Sequence, residues 1–136
     1  MGVRDWLMRL VRSRAAAPVV RQAFAHLPDR TPGVLARTDL AVAVRHPRPS
    51  HRTHILIVPR RPIASLLALR PEDDALLADV FRLAAQLVRE SSLDRAGYRL
   101  VVNGGPYQEV GQLHFHLVSD GPPEPGDPSA DAQREA

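Results

Sequence analysis

Gln112-Leu113-His114-Phe115-His116-Leu117-Val118 alternates polar and apolar side chains one by one. Side chains of a strand point to opposite faces in turn. The segment therefore reads as a strand over residues 113–118, with Gln112, His114 and His116 sharing one face. Leu113, Phe115 and Leu117 share the other, which turns to a core. A polar row on one strand face forms a wall on which a ligand can sit, and each imidazole can donate, accept or attack. The same pattern also suits two solvent-facing histidines on a half-exposed sheet. Two histidines two apart can also hold zinc, with His54 as a third ligand. The motif holds no cysteine or carboxylate, however, so no metal and no cofactor are expected.

Working outward, residues 34–37 and 40–44 read as two strands around Thr38-Asp39, and residues 55–58 as a buried, β-branched strand ended by Pro59. Residues 46–53, HPRPSHRT, are a loop because proline cannot serve a ladder there. Pro71 opens a helix, with Glu72, Asp73 and Asp74 near its positive end. Leu76, Leu77, Val80, Phe81, Ala84, Leu87 and Val88 form its apolar stripe, through about residue 90. Gly97 is a break, residues 98–102 a strand, and Asn103-Gly104-Gly105-Pro106 a turn. Strands, one long helix and strands again predict an α+β fold, with a largely antiparallel sheet covered on one face.

Three segments are expected. Residues 1–28 form a helical extension with Trp6, Leu7, Leu10 and Val11 on one side, residues 29–120 the domain, and residues 121–136 a disordered tail without apolar groups. The extension packs on the domain or on a partner. A membrane-surface helix is the less favoured reading of its segregated arginine face. The first fourteen residues lack the apolar stretch of a signal peptide, and no run reaches the length of a membrane span.

Absent residues narrow the chemistry. With no cysteine, a disulfide framework, a cysteine nucleophile and thiolate metal sites are excluded, which fits a reducing, cytoplasmic setting. All 18 basic residues are arginine, so Schiff-base chemistry and a phosphate-binding lysine are excluded too. Residues 1–70 carry thirteen arginines against three acids, and residues 71–136 five against twelve. A basic first half suits an anionic ligand. Few aromatic residues leave no stacking platform, so nucleic acid is not the expected partner.

Three ordered blocks resemble the histidine triad (HIT) family: residues 108–118, with His114 and His116 in the pattern His-φ-His-φ-His-φ-φ; residues 52–61, around Thr53-His54; and residues 97–105, around Asn103. The likeness covers about residues 33–120, and its closest flavour is the nucleoside phosphoramidase and dinucleoside polyphosphate hydrolase branch. It implies the family fold and a homodimer whose sheets join. It implies His114 as nucleophile toward the α-phosphorus of a nucleotide, with a nucleotidyl-histidine intermediate that water cleaves. His116 would bind phosphate oxygens, His54 would stand beside the phosphate, and Asn103 and Gln108 would contact phosphate or leaving group. Gln112 completes the catalytic set at the first triad position.

This chain departs from the family at several positions. Gln112 replaces the first triad histidine; its backbone carbonyl can still orient His114, but its side chain cannot exchange a proton. His46 stands where the branch usually has an aspartate gripping the ribose hydroxyls, and Pro62 where another histidine is common. Arg45, Arg48 and Arg52 crowd one loop, as a solvated surface or as binders of further phosphates. Two functions follow. The first is a nucleotidyl hydrolase acting on a phosphoramidate or dinucleoside polyphosphate. The second is a HIT-fold nucleotide sensor or scaffold with weakened chemistry.

Overall fold

The computed structural model describes residues 31–121. Their strands are β1 (Val34–Arg37), β2 (Ala41–Arg45), β3 (Thr53–Pro59), β4 (Arg99–Val102) and β5 (Phe115–Ser119), with a helix α1 (Asp74–Glu90) between β3 and β4. They form one five-stranded sheet in the order β1-β2-β3-β5-β4, and every neighbouring pair is antiparallel. This is the α+β architecture expected from the pattern. Of the expected extension 1–28 and tail 121–136, only Gly121 falls among the described residues.

Alternation explains how the sheet gains two different faces. Ala41, Ala43, Ile55, Ile57, Phe115 and Leu117 are buried on one side, against Leu76, Val80, Leu83, Ala84, Leu87 and Val88 of α1. Val44, His54, Leu56, Val58 and His116, at the opposite parity, line a cleft on the other side. A helix covers one face and leaves the other for a ligand.

Local chemistry fixes the elements. The β1–β2 turn closes when the Thr38 hydroxyl accepts the N–H of Leu40 at 3.1 Å and of Ala41 at 2.9 Å. The same hydroxyl donates to the Asp79 carboxylate, tying the turn to α1. Residues Pro71–Asp73 form a 3₁₀ turn rather than the first turn of α1, which starts at Asp74. Asp73 accepts the N–H groups of Arg61 Nε and Nη2, at 2.9 and 2.7 Å, and the Arg70 N–H at 2.9 Å. The Arg61 bonds, then the Arg70 N–H, hold its carboxyl below the usual range.

Three sequence expectations need correction. The helix stripe contains Leu83, whereas Phe81 is 60% exposed, because it lies at the margin of the arc that meets the sheet. The strand expected over 98–102 starts at Arg99. The strand expected over 113–118 starts only at Phe115, so the alternation does not extend back to Gln112. Gln112 and Leu113, expected on opposite faces, are both buried.

Candidate active site

The cleft has a volume of about 590 Å³, within the range of small-ligand sites. Its lining combines aliphatic side chains, Pro32, Val44, Leu56 and Val58, with polar ones, Ser50, His54, Asn103, His114 and His116. Strand register brings the polar groups together. His116 on β5 pairs with Leu56 and His54 on β3 with Val118, so the two histidines are diagonal neighbours on one face.

Hydrogen bonds decide which nitrogen of each ring carries the proton. The Ser50 N–H donates to His54 Nδ1 at 3.1 Å, so neutral His54 holds its proton on Nε2. That proton goes to His116 Nδ1 at 2.9 Å, which places the His116 proton on Nε2. The Asn103 amide nitrogen lies 3.5 Å from His116 Nε2; turned over by a flip, the amide presents its oxygen there and accepts that proton. His114 donates from Nδ1 to the Gln112 carbonyl at 2.6 Å, which leaves Nε2 as a lone pair. The His114 and His116 rings meet edge to face with centroids 4.8 Å apart.

The surroundings keep these rings neutral. Burial, then the neighbouring His46, His116 and His51, push His54 down to about 4. Burial, then His114 and His46, push His116 to about 4 against an opposing pull from Glu109. Burial also lowers His114, opposed by its bond to the Gln112 carbonyl and by Glu109. A neutral His114 has a free electron pair at Nε2 near neutral pH, as a nucleophile needs.

Gln112 and Gln108 are used differently from the other residues of the sequence motif. Gln112 is 0% exposed, and its side chain faces the loop after β3. Its Oε1 accepts the Ile63 N–H at 3.1 Å, and its Nε2 donates to Pro59 O at 3.2 Å and Arg61 O at 3.1 Å. The backbone carbonyl of Gln112, not its amide, meets His114. Gln108 does not line the cleft; its Nε2 donates to Ala64 O at 2.7 Å and Val110 O at 2.9 Å. It fixes the loop that carries Glu109.

Two residues escaped the sequence reading. Ser50 sets the His54 tautomer, and Glu109 is the sole acid among the described residues lining the cleft. Glu109 lies inside the 108–118 block that carries the family resemblance, which is its signal in the sequence; Ser50 has only its turn-like setting.

A five-stranded antiparallel sheet with a helix on one face and an imidazole-lined cleft on the other defines an α+β protein built to hold a small polar ligand. Residues 29–122 match the HIT domain, and the chain belongs to that family. It is 37% identical over 87 residues to an uncharacterized HIT-like protein of Synechococcus elongatus, covering 62% of this chain and 75% of that one. It is 31% identical over 91 residues to the purine nucleoside phosphoramidase of Escherichia coli, covering 65% and 76%. Among solved structures it resembles a HIT family hydrolase from Legionella pneumophila, with TM-score 0.62, 34% identity, and 71% and 86% of the two chains covered. No helix among the described residues is long and apolar enough to cross a membrane.

Proposed function

We propose that this protein is a nucleotidyl hydrolase that binds a nucleotide in the cleft and cleaves at its α-phosphate through His114. The observation that carries the reading is the 2.6 Å bond from His114 Nδ1–H to the Gln112 carbonyl, which commits the other nitrogen to attack. The aliphatic side chains of the lining suit a nucleobase and the histidines a phosphate. The His114 Nε2 electron pair forms a bond to the α-phosphorus while the bond to the leaving amine or phosphate breaks. The leaving group keeps the electron pair of the broken bond and takes a proton from a water molecule, which is left as hydroxide. His116 Nε2–H turns from Asn103 to a phosphoryl oxygen, where negative charge grows. The hydroxide then attacks phosphorus, the phosphorus–histidine bond breaks with its electron pair returning to Nε2, and a nucleoside monophosphate leaves with neutral His114 restored.

His54 acts in this scheme through His116, whose tautomer it sets. The relatives that carry hydrolase or phosphoramidase in their names support the reaction class. The test is incubation with an adenosine phosphoramidate and, separately, a dinucleoside polyphosphate. His114→Ala should lose all turnover while AMP binding stays measurable, and a phosphorus–histidine adduct should be trapped at residue 114. Wild-type turnover in His114→Ala would reject the covalent route.

One observation favours a nucleotide sensor instead. The Gln112 side chain is wholly committed to the loop, so the first triad position supplies no exchangeable proton. Nucleotide binding without turnover on either substrate would establish that reading.

A further inference from the structure

The cleft has a second group of donors that the reaction above does not use. Arg45, His46 and Arg48, from the end of β2 and the loop after it, line the same cavity as the triad residues. The His46 ring stacks on His54 with centroids 4.1 Å apart and planes at 23°, and its centroid lies 6.1 Å from that of His116. The Arg48 N–H donates to His46 Nδ1 at 2.9 Å. The neutral His46 ring therefore carries its proton on Nε2 and offers a donor there, not a lone pair.

That tautomer decides between two kinds of ligand. Nitrogen atoms of His46, His54 and His116 lie within 4.8 Å of one another, a spacing a metal ion could draw together. A metal-bound imidazole, however, donates its other N–H to an acceptor. Here the other nitrogens of His46 and His54 face the backbone N–H groups of Arg48 and Ser50, which are donors themselves. Ligation would set N–H against N–H at both rings. The arrangement that satisfies both backbone donors leaves protons on the far nitrogens, and proton donors in a cleft that Arg48 also lines select an anion. A wall without a carboxylate is also poorly matched to bare ribose hydroxyls, which donate; the one described acid lining the cleft is Glu109, on the 107–112 loop.

We infer that His46 and Arg48 form a second phosphate subsite beside the triad, so that the preferred substrate carries a phosphoryl group beyond the one at His114. This rests on the reading of the cleft as a nucleotide site. The extra group can come from a 2′- or 3′-phosphorylated ribose or from a longer 5′ chain.

Calorimetric titration of the full chain with AMP, ADP, adenosine 2′,5′-bisphosphate and adenosine 3′,5′-bisphosphate tests it and separates the two sources. At least one doubly phosphorylated ligand should bind about tenfold tighter than AMP, equivalent to ~1.4 kcal/mol. A bisphosphate that wins identifies the ribose as the source; ADP identifies the 5′ chain. The advantage should shrink to less than about threefold in His46→Asp and in Arg48→Ala, and should weaken as salt screens Arg48. Thermal melts confirm that both loop variants are folded. If AMP binds and a second phosphate adds nothing, or if both variants keep the advantage, the subsite is wrong while the nucleotide cleft stands. If AMP and every other ligand fail to bind, the nucleotide reading fails and takes the subsite with it. Stoichiometric zinc binding that is lost in His46→Ala would overturn the tautomer argument.

Discussion

At the scale of single residues, Gln112 does two jobs with two parts of itself. Its carbonyl orients His114, which any residue at that position could do, while its amide holds the loop after β3. The side-chain role is structural and depends on a length and geometry that histidine does not share. Gln112→Ala would leave the Ile63 N–H and the Pro59 and Arg61 carbonyls without this partner, at roughly 1–3 kcal/mol per group that stays dry. A loss of about 2 kcal/mol or more in urea unfolding is the expected outcome. Gln112→His would place a ring where three bonds are now made, so it too should destabilise. Its turnover should change by less than about tenfold, or ~1.4 kcal/mol. A hundredfold gain in steady-state rate would mean that an imidazole here supplies a proton.

At the scale of elements, β3 and β5 are coupled through the His54–His116 bond as well as by their ladder. Both rings titrate at about 4, below the ordinary 6.5, because burial and neighbouring imidazoles oppose the charged form. Between these values the unfolded chain binds more protons than the folded one, so stability rises with pH. Their contribution is complete above about 6.5 and is lost as pH falls toward 4. Urea midpoints at neutral pH and at intermediate acid pH should show the folded state weakening in that direction, and a flat response would contradict the neutral pair. The helix offers a separate test of which residues meet the sheet. Leu87→Ala, at a buried position, should cost ~2–5 kcal/mol. Phe81→Ala, on the exposed margin, should stay within ~0.5 kcal/mol. Chemical denaturation of the two variants compares them directly.

At the scale of the whole molecule, β4 forms one edge of the sheet, with β5 on its inner side. Only β4 leaves an edge to cover on this side, since β5 is paired on both sides. Leu100, Val101 and Val102 are half-buried on that edge. An apolar strand edge invites pairing with a second copy across a two-fold axis. We expect a homodimer. Light scattering at micromolar concentration should give twice the chain mass, and a charged substitution at Val101 should shift it toward monomer. A monomer at that concentration would refute the proposal.

Much of this protein is legible in its sequence because the signals are local. Period-two alternation around His114 and His116, the 3.6-residue stripe of α1 and the proline at Pro59 each report a backbone conformation within a few residues. They define the strands, the helix, the α+β class and the two histidines that share a face. What the tertiary structure decided are relations across long stretches of chain. The partner of Gln112 lies 49 residues away at Ile63, and that of His116 lies 62 residues away at His54. No periodicity encodes these pairings. They exist because strand register brings β3 beside β5 and because a buried amide must find donors and acceptors where the fold happens to place them. The protonation of each ring follows from those contacts, so the chemistry of the cleft was settled only when the sheet closed.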